Sequence, residues 1–186
     1  MPSLLPLYKA AYLGLSRQTW FLSLVILINR SGTMVVPFMT MYATQKLHFS
    51  IVDAGIIMAL FGAGSIVGAF IGGKLTDTIG FYKIQVSALL GGGVMFIVLG
   101  YLHSYFMLCC GTFVLGLINE SFRPAHSTAI AYYSKRENRT RSYSLNRLAI
   151  NLGWAFGGAL GGFLASYNYH LLFWVDGLTN ISAAVI

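Results

Sequence analysis

Charge is what this chain has least of. Asp, Glu, Lys and Arg make up 9% of its 186 residues, and only five are acidic. A soluble globular domain carries about 25% charged residues, so the chain cannot clothe a surface in polar groups and the soluble classes are excluded. Cysteine is nearly absent too. Cys109 and Cys110 are adjacent, a spacing that rarely bridges, and no metal-ligand pattern surrounds them, so they read as small packing residues. Strand-like alternation and long polar tails are missing. The first apolar run carries Arg30 and lacks a small-x-small cleavage site, which argues against a cleaved signal peptide.

What the chain does have is long apolar runs, at 19–42, 54–73, 84–102, 105–133, 148–167 and 171–186. A membrane-spanning helix needs about 20 residues, with a range of roughly 17–25. The first five runs meet that length, and the fifth helix is expected over 142–167. The sixth meets the last residue without a basic stop or a following loop. The expected fold is all-α and membrane-embedded, with six spans in 19–186 after an amphipathic lead-in over 1–18. We read an N-terminal half cut at or inside its sixth helix; a complete six-helix protein is the alternative.

Basic residues set the orientation. Lys9, Arg17, Lys74, Lys83, Lys135, Arg136, Arg139, Arg141 and Arg147 flank one end of the runs, against Lys46 at the other. The positive-inside rule puts the N-terminus and the even-to-odd loops in the cytoplasm of a multi-pass protein of the inner or plasma membrane. The net charge of +7 is thus a topology signal with lipid head groups as partners, and no nucleic-acid partner is expected.

An internal repeat is visible. Gly64, Gly68 and Gly72 recur 89 positions on as Gly153, Gly157 and Gly161. Glycines at i, i+4 and i+8 share a helix face and let another backbone come close. Three spans per copy make the second unit run opposite to the first, so the two form inverted repeats. The ladders are expected to contact a missing C-terminal six-helix half; generic helix packing is the other reading.

Arg30 lies midway along the first span, and Glu120 and Arg123 lie in the fourth. A charge at the bilayer centre costs about 2.5–3.5 kcal/mol on insertion scales, so these groups should face protein or water. Glu120 and Arg123 are i, i+3 and can pair on one face. Low-dielectric burial favours a protonated carboxyl, whereas a nearby guanidinium favours the carboxylate. Movement of an arginine would then switch a proton at Glu120; a static ion-pair network pinning the helices is the alternative. Asn29 and Asn119 are candidate solute contacts, or interhelical hydrogen-bonding groups. Asn146, Asn151 and His126 are further polar groups, His126 a possible relay. Pro37 and Pro124 remove backbone donors and invite kinks. Ser50 and Asp53 offer a helix cap, and Asp176 an outer-gate or interface position.

The loop Gly73-Lys74-Leu75-Thr76-Asp77-Thr78-Ile79-Gly80-Phe81-Tyr82-Lys83 resembles the G-x-L-x-D-x-x-G-x-x-(R/K) signature of the major facilitator superfamily. It lies where that family has it, between spans 2 and 3, although Thr78, Phe81 and Tyr82 stand where basic residues are common. Asn146-Arg147-Leu148-Ala149-Ile150-Asn151-Leu152-Gly153, followed by Gly157-Gly158-Ala159-Leu160-Gly161-Gly162, is similar to span 5 of the superfamily's drug and small-solute proton antiporters. Gly158 replaces their usual proline, and Thr112 stands where many carry an arginine. The resemblance implies half of a twelve-helix carrier whose spans 1 and 4 line the cavity. It also implies that Asp77 pairs with Arg139 or Arg141 as a cytoplasmic gate, with Gly73, Gly80 and Lys83 completing the motif.

The function expected is therefore proton-coupled transport of a small solute by alternating access, as multidrug or metabolite efflux. Alternatives are a nutrient or organic-anion importer or uniporter, and a membrane scaffold. No enzyme activity, metal or cofactor is expected, the proton being the coupling ion. An intramembrane serine protease would need a G-x-S-G turn, and Ile66 follows Ser65 where that glycine should be.

Overall fold

The computed structural model describes residues 12–186, and every regular element among them is a helix. Most of the expected lead-in, residues 1–11, lies outside the described residues. The chain turns at Gly14, whose φ of +86° suits glycine, and Ser16 then caps the first helix by accepting from the Thr19 amide at 3.2 Å. That helix, α1, covers Arg17–Ser31.

The first span is broken, not continuous. A second segment, α2 (Val35–Met41), resumes after Gly32–Met34 and passes into a π-helical turn over Tyr42–Lys46. Pro37 explains the break: its ring excludes the carbonyl of the residue four before it, Thr33, from a helical hydrogen bond. The freed amides of Met34 and Val35 are taken up by the Asp176 carboxylate, at 2.9 and 2.8 Å. Asp176 was expected as a gate or interface residue; it is fully buried and acts as a cap supplied from another helix.

The remaining helices are α3 (Ile51–Ile79), α4 (Phe81–Leu99), α5 (Tyr105–Tyr133), α6 (Arg139–Tyr167) and α7 (Tyr169–Val185). Ser50 and Asp53 form the full reciprocal capping box at the start of α3. Gly80 alone joins α3 to α4, with φ +91°, a conformation glycine adopts without strain. Gly73, expected at the same turn, lies inside α3 instead. Five of the described helical stretches are long and apolar enough to cross a membrane. The sixth, α7, has 17 residues.

Helix α3 packs along α5, α1 along α6, and α4 against both α5 and α7. In lipid there is little hydrophobic drive between helices, so close backbone approach matters more. The glycine ladders supply it. A Cβ at Gly64, Gly68 or Gly72 would strike the backbone of Phe113, Leu117 or Ser121 on α5. A Cβ at Gly153 would lie 2.6 Å from that of Arg30, and one at Gly157 3.0 Å from the Arg30 carbonyl. One at Gly161 would meet the Phe38 ring at 2.9 Å. All six are buried. The expectation that they contact another half is corrected: they seat α3 on α5 and α6 on the first span. Gly93 and Gly177 likewise bring α4 and α7 together, a Cβ on each approaching the other's carbonyl at 2.7 and 2.8 Å.

Two apolar cores result. The larger, around Tyr42, Ile57, Leu99, Leu108, Leu115 and Phe173, fills the end away from the basic residues. The smaller, around Ile26, Leu89, Phe122 and Ala149, lies nearer the basic end.

Candidate functional site

Between these cores, α1, α3, α5 and α6 leave a cavity of about 740 Å³ that opens along one flank. Its charged and polar walls are Arg30, Glu120, Arg123, His126, Asn146 and Arg147. Helical spacing puts them there. On α5, Glu120, Arg123 and Ser127 are i, i+3 and i+7; on α6, Asn146, Ile150 and Trp154 are i, i+4 and i+8. At 1.5 Å per residue, Arg30 and Glu120 both lie about 20 Å from the basic ends of their helices. They therefore meet at mid-depth.

Glu120 Oε2 accepts from Arg123 Nη1 at 3.4 Å, the i, i+3 pair read from the sequence. The side chains are 18% and 76% exposed, so this pair contributes about 0.2–0.5 kcal/mol or less. That is too little for a structural staple. Arg30 lies within electrostatic range of both partners. His126 Nε2 is 2.9 Å from Asn146 Oδ1, tying α5 to α6, and its buried Nδ1 has no hydrogen-bond partner among the described residues. Tyr143 Oη donates to the Ser127 carbonyl at 3.1 Å along the same seam.

Asn29 and Asn119 do not join this site. Asn29 is buried and its Nδ2 donates to Asn180 Oδ1 at 2.8 Å, so it ties α1 to α7. Asn119 is turned toward α4, its Oδ1 3.7 Å from where a Cβ on Gly92 would lie. Adjacent helical residues point about 100° apart. Once Arg30 and Glu120 face the cavity, their neighbours must face elsewhere.

The loop motif sits at the basic end. Asp77 is exposed there. Arg139, Arg141 and Lys83 are exposed at the same end. Thr112 is buried, its hydroxyl donating to the Leu108 carbonyl at 2.8 Å and reaching that of Ile57 on α3 at 3.3 Å. It serves helix packing where antiporters often have an arginine.

Arg147, Tyr143 and Trp154 are cavity residues that sequence reasoning did not assign. Arg147 also counts among the basic residues that set the orientation. The i, i+4, i+8 face through Asn146 and Trp154 was the available signal.

The family model described as Major Facilitator Superfamily matches residues 19–186. The chain is 24% identical over 149 residues to the "Uncharacterized MFS-type transporter YqjV" of Bacillus subtilis strain 168. That match covers 80% of this chain and 36% of the relative. It is 28% identical over 162 residues to the "Multidrug resistance protein MdtG" of Dickeya zeae strain Ech586. With MdtG of Escherichia coli strain K12 / DH10B it shares 26% over 160 residues, and each MdtG match covers 83% of this chain. The chain spans 39% of either MdtG.

Proposed function

The chain belongs to the Major Facilitator Superfamily, and we propose that it forms the N-terminal bundle of a proton-coupled carrier that exports small solutes by alternating access. One observation carries this reading: Arg30, Glu120 and Arg123, from two different helices, line one open cavity at mid-depth. Ionised groups held at that depth mark solute and proton paths, because lipid would not tolerate them. The name of the MdtG relatives supports efflux of drug-like compounds.

In this reading Glu120 takes a proton when Arg123 and Arg30 move away and releases it when they return. Its weak pairing suits that cycle. A second six-helix bundle, in the length of the relatives that this chain does not cover, closes the open flank. The bundle itself is two inverted three-helix units. Supporting this, α3 seats its ladder on α5 as α6 seats the repeated ladder on α1, and the third helices, α4 and α7, cross at paired glycines. The N-terminus and basic loops lie in the cytoplasm, where Asp77 forms and breaks its bridge as a two-state latch.

The test uses the full-length protein in liposomes carrying an internal pH dye, challenged with fluorescent amphiphiles of both charge signs. The wild type should couple movement of at least one amphiphile to proton movement. Glu120→Gln should abolish the proton flux and the response to a pH gradient. Proton-coupled flux that survives this substitution rejects Glu120 as the coupling site.

A further inference from the structure

The cavity wall that this chain supplies carries more positive charge than its own carboxylate can pair. Arg30, Arg123 and Arg147 line it against a single carboxylate, Glu120. The chain's other acids, Asp53, Asp77, Glu137 and Asp176, are not among the cavity's lining residues; Asp176 is committed to the backbone of the first span, and Asp53 to the start of α3. Glu120 pairs with Arg123 alone, so no carboxylate of the described residues bridges Arg30 or Arg147. Arg123 and Arg147 are exposed and Arg30 is half-buried, so an anion that enters the cavity meets guanidinium donors that no carboxylate other than Glu120 has taken up.

The arrangement also has depth. By helical rise, Arg147 and Arg123 lie about 12–15 Å from the basic ends of their helices, and Arg30 about 20 Å. Positive charge is therefore staggered along the cavity wall, two guanidinium groups nearer the basic end and one at mid-depth. The planar fork of a guanidinium matches carboxylate, sulfonate and phosphonate groups with two parallel hydrogen bonds. Between the arginines, Tyr143 and the half-exposed Trp154 offer flat apolar surface, and a space of about 740 Å³ holds a drug-sized molecule. Resting on the carrier reading above, we infer that the transported solute is an amphipathic organic anion. Its acidic head is held by Arg30 and Arg147, and its aromatic or alicyclic body lies against Tyr143 and Trp154.

A matched pair of probes tests this: 2-naphthalenesulfonate and (2-naphthyl)trimethylammonium, equal in ring and opposite in charge. Equilibrium dialysis is run on the full-length protein in phosphatidylcholine vesicles. The anion should bind about tenfold more tightly or better, the range expected of charge-assisted hydrogen bonds. Arg147→Gln and Arg30→Gln should each remove most of that preference, and Arg147→Lys should restore only part of it. The wild-type comparison needs no variant, so a misfolded mutant does not spoil the test. Equal binding, or preference for the cation, overturns the proposal while leaving the carrier reading standing. Binding of neither probe also overturns it; the carrier reading is then judged separately, by Glu120-dependent proton flux. Anionic lipid is the other source of the same charge. Loss of sulfonate binding when phosphatidylglycerol is added would mean that the cavity takes a lipid head group, and would overturn the solute assignment.

Discussion

The carboxylate of Asp176 on α7 receives the backbone N–H of Val35 at 2.8 Å, across 141 residues of sequence. The same carboxylate takes the Met34 amide at 2.9 Å. Together these bonds satisfy the start of α2, where Pro37 leaves no continuous helix to do so. Without the carboxylate the Met34 amide keeps the Gly32 carbonyl at 2.8 Å, but the Val35 amide is stranded, at a cost of about 1–3 kcal/mol. Asp176→Leu should therefore lower the thermal midpoint of the detergent-solubilised protein sharply, and Asp176→Asn, which keeps one acceptor, less so. A midpoint unchanged in Asp176→Leu would show that the cap holds nothing.

Asn29 and Asn180 make a second buried link to α7, this one from α1, at 2.8 Å. Interhelical side-chain hydrogen bonds in membranes average about 0.6 kcal/mol. Asn29→Leu should cost stability on that scale while leaving the affinity for transported probes within about twofold of wild type, a change of some 0.4 kcal/mol. A loss of affinity of tenfold or more would return Asn29 to the solute path.

The two glycine ladders predict a sharp contrast between positions on the same helices. Gly68→Val drives a side chain into the Leu117 backbone, and Gly157→Val into the Arg30 and Ser31 carbonyls. Overpacking of this kind costs about 1–3 kcal/mol or more. Both variants should lose the monodisperse peak on size-exclusion chromatography. Gly55→Ala and Gly158→Ala, where a Cβ meets nothing within 4 Å, should keep it. Equal behaviour of the two sets would contradict the packing described.

At the basic end, Asp77 predicts a kinetic defect rather than a binding defect. Asp77→Asn removes the charge needed for a latch that forms in one state and opens in the other. Turnover should fall about tenfold or more while probe affinity stays within about threefold of wild type, a change under 1 kcal/mol. Unchanged turnover would remove Asp77 from the gate.

Much of this was legible in the sequence because it rests on local spacing. Run length gave the spans, the 89-residue shift gave two glycine faces, and i, i+3 spacing gave the Glu120–Arg123 pair. Other features rest on what packs against a face, which period alone does not reveal. The ladders show that some backbone comes close to Gly64 and Gly153, yet not that it belongs to α5 and α1. Asn29 and Asn119 stand next to Arg30 and Glu120 in the sequence. On a helix that adjacency points them to a different partner. The Asp176 cap was out of reach for a third reason: its acceptor and donors are far apart along the chain, and Pro37 signals a break without naming what repairs it.

A carrier mechanism requires water to reach the middle of this bundle. On a cysteine-free background of the full-length protein in vesicles, Ile150→Cys places a thiol in the cavity wall at mid-depth. Leu90→Cys places one on the exposed face of α4, outside the cavity. A membrane-impermeant thiosulfonate reagent, present on both sides of the membrane, should modify Ile150→Cys readily and leave Leu90→Cys untouched. No modification at position 150, or equal modification at both positions, would contradict a wet cavity and with it the carrier mechanism.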